Sequence, residues 1–102
     1  MSAKNLTVQN FNLEINGSEN PVLVDFWASW CGPCRALSPI VEQIAEEHPE
    51  YLVAKVNIDE EPELAMRFNV VSIPTLMVMK NGQIVEQSVG ARPKNKILAM
   101  LG

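Results

Sequence analysis

The segment from residue 21 to residue 59 constrains the fold more than any other part of the chain. "PVLVDFWA" (21–28) is a compact apolar run of the kind found in a strand buried on both faces. From Cys31 onward, Leu37, Ile40, Val41, Ile44 and Ala45 recur at i, i+3, i+4, i+7 and i+8, while Glu42, Gln43, Glu46 and Glu47 fall on the opposite face. That pattern predicts an amphipathic helix. Pro39 lies inside it, and because the periodicity continues past the proline, a kink is expected and not an end. "HPE" (48–50) closes the helix, and "YLVAKVNID" (51–59) reads as a second strand. Strand, helix and strand within about 40 residues predict a βαβ unit with parallel strands.

The rest of the chain completes an α/β layout. "EEPELAMRF" (60–68) predicts a short helix with Pro62 in its first turn. Residues 74–80 and 83–89 are β-rich runs joined by Asn81-Gly82, a dipeptide that accepts the two positive φ angles of a tight hairpin. A last helix follows Pro93, with Ile97, Leu98 and Leu101 on one face. Near the N-terminus, a short strand at 5–8 and a helix around 10–15 are expected. The resulting architecture is a mixed β-sheet, a βαβ unit plus a β-hairpin, with helices on both faces. At 102 residues the chain fits one domain, 1–102, with one core.

Composition narrows the function. Apolar residues make up 47% and charged residues 20%, which argues against disorder. A net charge of −4 and the lack of a basic run argue against nucleic acid. The longest apolar stretches, "PVLV" and "IPTLMVM", are far too short to span a bilayer. "MSAKNLTVQNFNLEING" has no apolar h-region, so no signal peptide is expected and the cytoplasm is the default compartment. The methionines scatter through core-like positions, which suggests packing.

Both cysteines, Cys31 and Cys34, stand in "WASWCGPCRAL", separated by Gly32 and Pro33. A structural zinc site wants four ligands, yet there is no second cysteine pair, and the one histidine, His48, lies at the far end of the helix. A permanent staple would close a loop so short that it removes little chain entropy, and a reducing cytoplasm would open it. A redox switch has a local mechanism. The pair falls at a strand-to-helix junction, where unpaired N–H groups and the helix dipole favour an anion at Cys31. An ordinary thiol, with pKa about 8.5, is only about 3% ionised at neutral pH, and the thiolate is the reactive form. Cys34 lies one turn further in and is expected to be the less exposed, resolving thiol. Pro33 stiffens the spacer.

"DFWASWCGPC", a helix containing Pro39, then "SIPTLMVMKNG" and "VGA" together resemble the thioredoxin family. The likeness runs from residue 5 to residue 101 in order and at the family's spacings. A C-x-x-C pair after a strand in a βαβ context points to the same class. The resemblance implies the thioredoxin fold and protein-disulfide reductase chemistry, with Cys31 as nucleophile, Cys34 as resolving thiol and Gly32-Pro33 as the active-site loop.

It also assigns the supporting residues. Asp25 interrupts an apolar strand, and from the residues alone it is either a solvated strand-end carboxylate or a buried one with a raised pKa. The resemblance implies a buried proton acceptor behind Cys34. Lys55 is either a surface lysine or, by resemblance, the neighbour that tunes Asp25. Trp27 is expected in the core beneath the site. Trp30 is expected partly exposed beside Cys31, offering apolar area to a protein substrate. By resemblance the Ile73–Pro74 bond is cis and faces the cysteines, so that Ile73 presents its backbone to an extended substrate segment. Gly90 is a turn glycine in either reading, and the resemblance adds that Gly90 and Ala91 leave room for substrate. Pro39 is structural. Some positions depart from the common family pattern, among them Arg35, Phe68-Asn69 and Met79; Val71 and Arg92 bear on the rim of the docking surface.

The implied partners are disulfide-containing proteins and a thioredoxin reductase, flavin-dependent and drawing on NADPH. No metal or bound cofactor is expected, and a monomer is the default. Two other functions share this fold. An oxidase or isomerase generally carries a polar or basic spacer residue and an export signal, unlike Gly32-Pro33 here. A non-catalytic binding module would not need an intact cysteine pair.

Overall fold

Strand β2 (Val22–Trp27) is the centre of the molecule, and its side chains divide the core in two. A computed structural model describes residues 3–102. Successive residues of a strand point to opposite faces of its sheet. Val22, Val24 and Phe26 accordingly pack into one core cluster with Phe11, Ile15 and Leu64. Leu23 packs into the other with Leu37, Val41, Ile44, Ile97 and Leu101. Every residue from Val22 to Phe26 is buried, as the unbroken apolar run required.

The remaining elements surround this strand. They are β1 (Lys4–Asn5), α1 (Phe11–Asn16), α2 (Gly32–Glu47), β3 (Leu52–Asn57), α3 (Pro62–Arg67), β4 (Thr75–Lys80), β5 (Gln83–Val89) and α4 (Lys94–Leu101). The sheet order is β1-β3-β2-β4-β5. β1 and β2 run parallel to β3, while β4 is antiparallel to both β2 and β5. Helices α1 and α3 cover the Phe26 face; α2 and α4 cover the Leu23 face. This is the mixed, helix-flanked α/β sheet the sequence predicted.

Four details differ from the sequence reading. β1 is only two residues long and sits at 4–5, not 5–8; Leu6 still donates its N–H to the Lys55 carbonyl at 2.8 Å, after which the chain turns away. α1 starts and ends one residue later than expected. Glu42 is half-buried at the flank of α2 and does not lie on its solvent side. Met66 is exposed on α3 and not packed in the core. Pro39 sits inside α2, which runs on past it to Glu47. In the hairpin, Asn81 and Gly82 both take positive φ (54° and 77°), as a tight two-residue turn of this hand needs. A register shift between Val78 and Met79 marks a bulge in the β4–β5 ladder.

The α2 seam holds the Leu23 face together. Leu37→Ala is expected to lower the unfolding free energy by about 2–5 kcal/mol in urea denaturation. Leu13→Ala, at an exposed position of α1, should stay within about 0.5 kcal/mol of the parent. Equal effects would contradict the assignment of the core.

Candidate active site

β2 delivers the chain to one end of the sheet, and Ala28, Ser29, Trp30 and Cys31 link it to α2. Cys31 is the N-cap of that helix, with extended φ and ψ of −91° and 112°. Its carbonyl accepts the Arg35 N–H at 3.1 Å, the first bond of the helix. Its Sγ accepts the Cys34 N–H at 3.2 Å. A sulfur therefore occupies the place that a serine or aspartate oxygen takes in an ordinary N-cap. Pro33 costs the helix nothing here, because first-turn N–H groups have no helical acceptor. The Arg35 guanidinium donates back to the Ser29 carbonyl at 3.0 Å and ties the link to the helix.

Cys31 and Cys34 form a disulfide with a Cα–Cα distance of 5.2 Å. Both are buried, in a small cluster with Ala28 on which Trp27, Ile58 and Ile73 pack. A second loop closes over them. The Ile73–Pro74 bond is cis, the isomer the resemblance implied. The Ile73 carbonyl oxygen lies 3.8 Å from Cys31 Sγ. Pro74 is buried, and its carbonyl accepts the Gly90 N–H at 2.8 Å. Gly90 has φ +95°, a conformation that side chains resist, so this bond favours glycine there. Trp30 is 65% exposed beside Cys31, and its Nε1 donates to Asp59 Oδ2 at 2.9 Å.

β2 also carries a buried carboxyl group. Asp25 points to the Leu23 face, under α2, and is 0% exposed. Lys55 stands beside it on β3 and Leu76 on β4. Neither carboxyl oxygen has a hydrogen-bond partner among the described residues. Burial pushes its pKa up from 3.8 to about 7, with nearby Lys55 opposing the rise and Glu42 adding to it. The Lys55 ammonium is turned elsewhere. It donates to Ser38 Oγ at 3.1 Å, lies 3.7 Å from Glu42 Oε2, and sits 4.6 Å from the centre of the Trp27 ring. Among the described residues, no three His, Cys, Asp or Glu side chains gather in a way that could hold a metal.

The thioredoxin family model matches residues 2–102. A thioredoxin of Chlorobaculum thiosulfatiphilum is 50% identical over 92 residues, covering 89% of this chain and 85% of that one. A thioredoxin of Alicyclobacillus acidocaldarius is 50% identical over 97 residues, covering 94% and 91%. The chain belongs to the thioredoxin family. Among solved structures, a mutant thioredoxin from Halobacterium salinarum NRC-1 superposes with a TM-score of 0.89 at 33% identity, over 98% of this chain and 88% of that one. Thioredoxins are protein thiol–disulfide oxidoreductases, and the redox pair in this chain is the Cys31–Cys34 disulfide.

The fold brings Trp27, Trp30, Cys31, Gly32, Pro33, Cys34, Ile73 and Pro74 to one end of the sheet, with Gly90 bonded to Pro74. Gly32, Pro33 and Ala91 are exposed, and Pro39 lies in α2 one residue beyond Ser38. One placement differs from expectation: Trp27 is half-buried, not fully in the core. Cys34 is the less exposed of the two cysteines, as expected, at 2% against 5% for Cys31. The sequence reading missed Asp59, Ser38 and Glu42. The i, i+4 spacing of Ser38 and Glu42 was the available signal for one helix stripe; nothing local marked Asp59.

Asp25 gives folding a pH dependence of definite sign. The unfolded chain releases this proton near 3.8 and the folded one at about 7. Between those values the folded state binds more protons, so stability falls as pH rises through the window and levels off above it. At 1.36 kcal/mol per unit the whole effect is at most about 4 kcal/mol. Urea denaturation of the oxidised protein should show Asp25→Asn losing far less stability than the parent between about pH 4 and about pH 7. Parallel pH profiles for the two would show that Asp25 is not buried as described.

Proposed function

We propose that the protein reduces disulfides in other proteins by a two-step exchange in which Cys31 attacks and Cys34 resolves. The observation that carries this reading is the Cys34 N–H directed at Cys31 Sγ, at the leading end of α2 and beside the Ile73 carbonyl. In the dithiol form, that N–H and the helix dipole favour negative charge on Cys31. Thioredoxins are themselves the standard example of such a lowered thiol pKa, about 7, so that value is carried over from the family.

The Cys31 thiolate attacks one sulfur of a substrate disulfide. A Cys31–substrate bond forms, the substrate S–S bond breaks, and the departing substrate thiolate takes up a proton. Cys34 then gives its proton to Asp25 and attacks Cys31 Sγ. The mixed disulfide breaks, the second substrate thiolate leaves, and Cys31–Cys34 is the product disulfide. Two electrons have passed to the substrate. An acceptor whose pKa sits near neutrality suits the intermediate transfer. Lys55 tunes that acceptor by its charge.

Substrate docks as an extended segment along Ile73 and Pro74, flanked by Trp30, Gly90 and Ala91. Trp30's exposed ring, held by Asp59, supports a contact role. We assign Val71 and Arg92 to the rim of this surface; the 95% exposure of Val71 supports that assignment. The redox chemistry needs no bound cofactor. A flavin-dependent thioredoxin reductase drawing on NADPH restores the dithiol. Residues 1–102 act as a single domain, as a monomer in the cytoplasm, without nucleic acid or membrane. Among the described residues no helix is long and apolar enough to cross a membrane.

With dithiothreitol and insulin, the protein should catalyse insulin reduction and Cys31→Ser should abolish it. Cys34→Ser should accumulate a Cys31-linked mixed disulfide visible by mass spectrometry. Full activity of Cys31→Ser, or trapping through Cys34 in its place, would contradict the assigned roles.

A further inference from the structure

The Lys55 ammonium has two ways to satisfy itself, and the structure records one. Asp25 is its register neighbour across the β2–β3 ladder, and both side chains rise on the face beneath α2. An ion pair between them would satisfy a buried carboxyl that has no other partner. Yet Lys55 Nζ donates to Ser38 Oγ at 3.1 Å and lies 3.7 Å from Glu42 Oε2. Ser38 and Glu42 stand one turn apart on the same stripe of α2. Glu42 is itself fixed, because its other oxygen accepts the Ala3 N–H at 2.7 Å. The Trp27 ring, 4.6 Å away, closes the third side. The Lys55 side chain is only 11% exposed, so water does little to loosen this arrangement.

We propose that Ser38 and Glu42 are positioning residues: together they hold the Lys55 ammonium against α2 and leave Asp25 without a cationic partner. The charged groups around Asp25 are few. On its face of the sheet, β3 supplies Lys55 and α2 supplies Glu42. The buried residues that β4 and α4 contribute to that face are Leu76, Val78, Ile97 and Leu101, all apolar. How Lys55 divides between α2 and Asp25 is therefore the main adjustable influence on the carboxyl. A cation within about 4–6 Å that is free to approach lowers a carboxyl pKa by about 1–3 units. The consequence for catalysis rests on reading Asp25 as the proton acceptor of Cys34; the placement of Lys55 does not.

The test follows the Asp25 carboxyl carbon by NMR across pH in the oxidised protein, where neither cysteine titrates. Ser38→Ala removes the acceptor for Lys55 and should lower the Asp25 midpoint by about 1 pH unit. Ser38→Thr keeps a hydroxyl and should retain the parent midpoint. Combined with Lys55→Met, Ser38→Ala should have no effect. Glu42→Gln should lower the midpoint more when Lys55 is present than when it is methionine. An unchanged or raised midpoint in Ser38→Ala overturns the proposal. So does a fall that Ser38→Thr shares, a fall that persists in the Lys55→Met background, or a Glu42→Gln effect indifferent to Lys55. None of these readings depends on insulin reduction, so a failed functional assignment and a failed placement of Lys55 are told apart.

Discussion

The backbone N–H of Cys34 points at the sulfur of Cys31 from 3.2 Å, and the surrounding structure exists to keep it there. The contact needs Cys31 at the N-cap, Cys34 in the first turn, and α2 anchored along its length. Leu37, Val41, Ile44 and Ala45 provide the anchor by burying one stripe of the helix against the sheet. Arg35 fixes the approach from β2 by bonding the Ser29 carbonyl. The chemistry then follows from polarity. A helix start presents N–H groups without acceptors, and a negatively charged sulfur satisfies one of them better than a neutral thiol does.

In the proposed mechanism Asp25 works against folding and for chemistry at the same position. A carboxyl sealed in a two-sided strand resists ionisation, which brings its proton affinity to the pH range where thiols must lose protons. A lysine drawn fully onto it would undo that tuning. The lysine is in the neighbouring register position but leans on α2, so its charge is felt across space without a hydrogen bond. The same helix thus presents its N-terminus to the sulfurs and its side to the lysine.

How much of this could be read from the sequence depended on how local the physics is. β2, α2 and β3 were legible because burial on both faces and a 3.6-residue stripe leave long, repeated patterns. Asn81-Gly82 was legible because two positive φ angles in succession demand such residues. β1 was misplaced because its strand character rests on pairing Lys4 and Asn5 with Ala54 and Lys55, and both of its side chains are exposed. Helical periodicity sets Glu42 opposite the apolar stripe, because it marks a face but not the flank where a long side chain turns inward. Asp59's bond to Trp30 joins two loops, so no spacing announces it. The burial of Asp25 stayed open on pattern alone, since one carboxylate in an apolar run is compatible with a strand end. The register, which places it mid-strand between Lys55 and Leu76, decides the matter.

In the proposed mechanism the start of α2 holds Cys31 as an anion when the disulfide is open. The most direct measurement of this is the rate of Cys31 alkylation against pH in the reduced protein, with Cys34→Ser removing the competing thiol. The account predicts a midpoint well below the ordinary thiol value of about 8.5, with the rate already near its plateau at that pH. A midpoint equal to that of cysteine in an unstructured peptide would contradict it.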